Sequence, residues 1–179
     1  MAAVCSLLAD NKLGGVIFYG YNITTPVQTR KLVECFKQAR YDAAISVDQE
    51  GGKVSRLTEA KGFRPSKSLN EIAKLSDQEI SAYYESMAAE LADYGFNLNY
   101  TPVVDLDDPI SSIIHGYGRA ISANPERVAE VAALIIDAHR KYGIATCIKH
   151  FPGHGLAGGD THQDLVDITS TWQEERELS

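Results

Sequence analysis

Apolar and polar positions recur along this chain in a fixed order: a helical stripe, a glycine or turn, a short apolar run, a polar tip. Val4, Leu7 and Leu8 share one face of a helix predicted over residues 2–12, stopped by Gly14 and Gly15. Val16-Ile17-Phe18-Tyr19 then reads as a buried strand. Thr25-Pro26 starts a helix with proline at its first position, and Leu32, Val33 and Phe36 give it an apolar stripe as far as Arg40. Ala43 to Val47 is the next strand, and it runs directly into Asp48-Gln49-Glu50-Gly51-Gly52. Residues 58–68 read as a polar loop around Pro65. Ser76-Asp77-Gln78-Glu79 has capping-box spacing and opens a helix carrying Ile80, Tyr84, Met87 and Leu91, closed by Gly95.

The second half repeats the unit. A strand over 98–104 ends at Asp105, and a loop rich in Asp, Ser and Gly over 107–123 carries Arg119. Asn124 caps a helix with Pro125 at its first position and Val128, Val131, Ala132, Ile135 and Ala138 on its buried face, stopped by Gly143. Ile144 to Ile148 is the last apolar run, read as a buried strand that delivers Lys149 and His150 at its end. Strands alternating with helices predict βαβ units and a parallel sheet of the α/β class. A barrel and an open doubly wound sheet both gather ligands at the carboxyl ends of their strands, so the pattern leaves both open. No glycine-rich nucleotide motif follows any strand, which removes one support for the open sheet.

Composition narrows the function classes. A net charge of −7 weighs against nucleic acid or an anionic membrane as partner, and no apolar run is long enough to span a bilayer. Cys5, Cys35 and Cys147 are odd in number and fall within apolar patterns, which predicts reduced core residues. With no leader pattern visible at the N-terminus, the expected location is the cytoplasm.

Chemistry concentrates at residues 149–162, Lys-His-Phe-Pro-Gly-His-Gly-Leu-Ala-Gly-Gly-Asp-Thr-His. Four glycines make a loop able to move, with a carboxylate and an imidazole two positions apart at its far end. An imidazole titrates near neutrality, and an adjacent carboxylate orients it and stabilises its charged form, a pairing suited to general acid and base work. Taken alone, such a pair is more often ordinary loop surface. A second assignment is a zinc-dependent barrel hydrolase with His150, His154, Asp160 and His162 as ligands, although their spacing matches no zinc motif.

Two stretches carry a family resemblance. Ser46-Val47-Asp48-Gln49-Glu50-Gly51-Gly52-Lys53-Val54-Ser55-Arg56-Leu57 resembles the Asp-Gln-Glu-Gly-Gly-Arg-Val-x-Arg motif of glycoside hydrolase family 3. Lys149 to His162 resembles the Lys-His-Phe-Pro-Gly-His-Gly-x4-Asp-Ser-His motif of its bacterial β-N-acetylglucosaminidase, or β-hexosaminidase, branch. Thr101 to Asp105 and Gly118-Arg119 fall where that branch has two further conserved segments. The resemblance implies a (β/α)8 TIM barrel, present here as a partial barrel of about four βα units in a single domain over 1–179, with the first strand and the last strands missing. It also implies removal of terminal β-linked N-acetylglucosamine with retention of configuration, with no cofactor and no metal. His162 falls on the family's acid/base and Asp160 on its dyad partner, while Asp48, Arg56, Arg119, Lys149 and His150 fall on sugar-binding positions.

Departures from the pattern are Thr161 for Ser, Ala120 for Ser after Arg119, and Val166 for a frequent Pro. No segment matches the family's nucleophilic Asp, so the chain alone is expected to be inactive, and a non-catalytic sugar-binding remnant is the other alternative. A half barrel is also expected to self-associate through its exposed edges. Glu50 is read as ordering the turn at Gly51-Gly52, His154 as a structural loop residue, and Asp105 as equally a site residue or a loop cap. His115 and Tyr117 are given no role. Trp172 to Ser179 is read as the start of a helix.

Overall fold

A computed structural model describes residues 2–172; the helix expected from Trp172 onward lies outside these residues. Among the described residues five α-helices and four strands occur, all but α3 in the expected order. They are α1 (Ala2–Ala9), β1 (Gly15–Phe18), α2 (Pro26–Ala39), β2 (Ala44–Val47), α3 (Leu69–Ile72), α4 (Asp77–Tyr94), β3 (Leu98–Asn99), α5 (Pro125–Lys141) and β4 (Ala145–Thr146). The strands form one parallel sheet ordered β1-β2-β3-β4. Each new strand is added on the same side of the last, with Phe18 beside Val47, Val47 beside Asn99 and Asn99 beside Thr146. A doubly wound sheet reverses direction at a switch point, whereas this order is that of a barrel wall.

Local chemistry sets the helix ends. The Thr25 side chain accepts the Gln28 amide at the start of α2, and Asn124 accepts the Glu126 and Arg127 amides at the start of α5. Ser76 and Glu79 form the expected capping box, and Gly95 closes α4 in the left-handed region at φ 87°. Helix α3 was not expected, yet Ser68 and Glu71 cap it with the same box. The sheet-facing core centres on Phe18, which meets Phe36 and Phe96 edge-on at 5.9 and 5.2 Å.

Strands β3 and β4 are shorter than their apolar runs. Pro102 has no N–H to give the ladder, so pairing lapses there and resumes as a parallel bridge between Val103 and Lys149. The Pro102 carbonyl still accepts the Lys149 amide at 3.2 Å. The run from Ile144 to Ile148 is not buried as expected: Ile144 is, but Ala145, Cys147 and Ile148 are exposed. As the last strand in the order, β4 has one flank that no described strand pairs with. Cys147 is therefore not a core residue. Cys5 and Cys35 are half-buried and face each other across α1 and α2, sulfur to sulfur at 3.1 Å. Their mutual hydrogen bond, followed by burial, pushes the Cys5 thiol pKa upward.

A polar thread crosses the interior. Fully buried His139 on α5 bonds the Ile135 carbonyl through Nδ1 at 2.8 Å, which leaves Nε2 to accept from Asn99 Nδ2 at 3.1 Å. Asn99 in turn bonds both the amide and the carbonyl of Gln49, each at 3.0 Å. Burial holds the His139 pKa below its ordinary value. An unfolded histidine takes up its proton near pH ~6.5 while the folded one resists, so this stability is complete above that pH and is lost as the pH falls toward the folded value. The urea midpoint is expected to be level from pH 8 to 7 and to decline below about 6.5, with a shallower decline in H139Q. Equal slopes in the two proteins would show that His139 is not responsible.

Candidate active site

The carboxyl ends of β2, β3 and β4 converge, and the loop after β2 is folded back on itself to meet them. Gln49, 4% exposed, does this: its Oε1 accepts the Arg56 and Leu57 amides at 2.8 and 3.0 Å, and its Nε2 donates to Ser55 Oγ and the Leu57 carbonyl. Gly51 makes the reversal at φ 108°, against the Lys67 carbonyl, where a Cβ would stand 2.2 Å from that oxygen. The turn thus returns Arg56 to Asp48, with Arg56 Nη2 3.0 Å from Asp48 Oδ2.

From there one network runs across the strand ends. Lys149 Nζ bonds Asp48 Oδ1 and stands 2.6 Å from Glu50 Oε1. Glu50, 3% exposed, takes Arg119 in a two-pronged pair, Nε and Nη2 each at 2.8 Å. Burial pulls the Arg119 pKa down, but its bonds to Glu50 more than offset this and the net shift is upward. Arg119 Nη2 also reaches His150 Nε2 at 3.2 Å. His150 Nδ1 meets Asp105 Oδ2 at 2.5 Å, so Nδ1 bears the ring proton and Nε2 accepts from Arg119.

Asp105 also roots the long loop. Its Oδ1 accepts the His154 amide at 2.7 Å. Gly155 lies so close to Leu106 that a Cβ would stand 2.5 Å from the Leu106 carbonyl oxygen, and Leu156 and Ala157 are buried behind it. The peptide bonds Lys149–His150 and Phe151–Pro152 are cis. His154 packs edge-on against His150, with ring centroids 5.7 Å apart, and its buried Nε2 has no partner among the described residues. Burial holds the His154 pKa down despite the nearby Asp105 carboxylate.

Beyond this root the loop emerges into solvent. Asp160 Oδ1 accepts both the amide and the ring Nδ1 of His162, at 2.9 and 2.8 Å. Those two bonds lower the Asp160 pKa, so it is an anion through the neutral range. The His162 side chain is 84% exposed. With Nδ1 on the carboxylate, Nε2 faces outward.

The structure therefore joins Asp48, Arg56, Arg119, Lys149 and His150 in one network. Asp160 and His162 meet each other, but no hydrogen bond or ion pair among the described residues links them to it. Two further residues belong to the network: Glu50, which the sequence reading assigns to ordering the turn, and Asp105, which it weighs equally as a site residue or a loop cap. Glu50 follows Asp48 by two positions, a spacing that points both side chains the same way where the chain is extended. The four residues of the zinc alternative are not gathered into one site: Asp105 takes His150 Nδ1, Asp160 takes His162 Nδ1, and His154 Nε2 has no partner among the described residues. No group of three or more such donors able to hold a metal occurs among the described residues. None of the described helices is long and apolar enough to cross a membrane.

Residues 1–178 match the family model described as the glycosyl hydrolase family 3 N-terminal domain. The chain belongs to glycosyl hydrolase family 3. A β-hexosaminidase of Pseudomonas aeruginosa is 35% identical over 172 residues, covering 95% of this chain and 51% of that protein. A β-hexosaminidase of Methylococcus capsulatus is 37% identical over 160 residues, covering 86% of this chain and 46% of that one. The crystal structure of NagZ from Neisseria gonorrhoeae superposes with a TM-score of 0.82 at 32% identity, covering 90% of this chain and 49% of NagZ. The four parallel strands and their helices are thus those of the family 3 barrel, and the chain spans about half the length of the curated relatives it matches.

Proposed function

We propose that this chain supplies the sugar-gripping part of a retaining β-N-acetylhexosaminidase acting on saccharides that end in β-linked N-acetylglucosamine. Asp48 and Arg56 would hold the sugar together with Lys149, Arg119 and His150, since carboxylates accept paired hydroxyls and cationic side chains donate to them. Asp160 would orient His162, whose outward Nε2 would deliver a proton to the leaving oxygen and recover it from water. The observation that supports this most is the 2.8 Å contact between His162 Nδ1 and Asp160 Oδ1, on a loop rooted at Asp105 on the same rim as the network. A NagZ relative has been solved in complex with N-trifluoroacetyl-D-glucosamine, which suits an amino sugar as ligand.

The usual retaining mechanism pairs a carboxylate nucleophile with the acid/base. Asp48, Glu50 and Asp105 are each engaged by a cation or a histidine, so we assign the nucleophile to none of them and expect it in a chain of the relatives' length. The chain alone is expected to bind N-acetylglucosamine in ligand-observed NMR and to release no chromophore from an aryl β-N-acetylglucosaminide. Absence of sugar binding would remove the proposal, and steady turnover would place the nucleophile among residues now read as binding groups.

Self-association belongs to the same proposal. The outer flanks of β1 and β4 are unpaired among the described strands, and Ile148 is 54% exposed beside one of them. Sedimentation velocity is expected to show species larger than the 19.6 kDa chain. We also place the protein in the cytoplasm, as a single domain; cell fractionation tests the location.

A further inference from the structure

At β1 the charged network gives way to an aromatic surface. Phe18 is in register with Val47, which sets Tyr19 beside Asp48 on the adjoining strand end. Arg56 spans the two, with Nη2 3.0 Å from Asp48 Oδ2 and Cζ 5.7 Å from the centre of the Tyr19 ring. Tyr21 lies flat on Tyr19, with ring centroids 5.7 Å apart and planes 8° from parallel. Both rings are exposed, Tyr21 to 80%. Neither hydroxyl makes a hydrogen bond within the described residues, so no internal polar partner explains their placement.

The turn that bears them is fixed from three directions. Asn22 Oδ1 accepts the Tyr19 amide and the Asn22 amide bonds the Tyr19 carbonyl, both at 2.9 Å. Gln28 on α2 donates to the Asn22 carbonyl at 2.9 Å, and Lys61 donates to the Gly20 carbonyl at 2.6 Å. A held pair of exposed aromatic rings costs hydration in the free protein and loses little freedom when something flat and partly apolar settles on it. A pyranose ring is such an object, with C–H bonds on its face and hydroxyls at its edge.

We infer that Tyr19 and Tyr21 form a stacking platform for a second sugar ring, the one joined through the β-linkage to the N-acetylglucosamine gripped by the network. This rests on the function proposed above. Arg56 marks the boundary: its Nη2 serves the first ring through Asp48, and its Cζ stands 5.7 Å from the Tyr19 ring of the surface that takes the second.

Calorimetric titration of the chain with N-acetylglucosamine and with its β-1,4-linked disaccharide tests this. The disaccharide is expected to bind roughly two- to tenfold tighter than the monosaccharide. Y21A is expected to abolish that difference without changing monosaccharide affinity, and Y21F to preserve it. Equal affinities in the parent chain, a preference surviving in Y21A, or an equal loss for both sugars would each overturn the platform while leaving the proposed function in place. Failure of both sugars to bind would overturn both.

Discussion

Glu50→Ala is expected to lower unfolding stability by about 3–5 kcal/mol, the scale for removing one partner of a buried ion pair. Glu50 is 3% exposed and the Arg119 side chain 10%, and the substitution leaves the guanidinium without the two oxygens that balance its desolvation. Lys149 loses one of its two carboxylates as well. The double variant E50M/R119M removes both charges and fills the space with apolar side chains, so it is expected to recover much of the loss, with Lys149 still paired to Asp48. The pair Arg140–Asp137, 74% and 63% exposed, provides the contrast: R140A should change stability by less than about 1 kcal/mol. Urea unfolding of the four proteins checks this. A cost for E50A no greater than that for R140A would show that the buried pair contributes little.

Asp105→Ala is expected to release the loop that carries Asp160 and His162. Asp105, 2% exposed, bonds the His150 ring at 2.5 Å and the His154 amide at 2.7 Å. Bonds to a charged acceptor are worth about 1.5–3 kcal/mol each, enough to decide whether so short a segment stays docked. His150 would also lose the partner that fixes its tautomer and points Nε2 at Arg119. Sugar affinity should fall at least about tenfold, since a single lost charged bond is already of that order. D105N keeps an oxygen for the His154 amide but not the charge, and should fall between. Hydrogen exchange over residues 150–160, read with the sugar titration, distinguishes the outcomes. A loop equally protected in D105A would mean that Gly155 and the buried Leu156 and Ala157 hold it without help.

Much of this was legible because it is local. Caps at Thr25, Ser76 and Asn124, and the glycine at 95, act over three or four residues and can be read from the chain directly. Ser68 and Glu71 have the same spacing as Ser76 and Glu79, so α3 was readable too and was lost inside a polar stretch. Pairings across the sheet were not legible. Glu50 and Arg119 are 69 positions apart, Asp48 and Lys149 101, and Cys5 and Cys35 30. Periodicity predicts that acids and bases arrive at strand ends, but not which of them meet. The five positions expected to bind sugar were named through family resemblance, and their junction in one network is what the fold adds. Glycines in the long loop were read as freedom to move, whereas Gly155 serves close approach to Leu106. The exposure of β4 depends on which strands neighbour it, which no stretch of its own residues encodes.

The strand-end network is also electrically even. Arg56, Arg119 and Lys149 are matched by Asp48, Glu50 and Asp105, leaving the histidine aside. Of seventeen basic and twenty-four acidic residues, fourteen and twenty-one remain elsewhere, so the whole excess of −7 sits on the rest of the molecule. Acidification toward the isoelectric point near 5.2 would cancel the mutual repulsion between molecules. Precipitation should then set in near that pH, and buffers for crystallisation or storage are best chosen on the alkaline side.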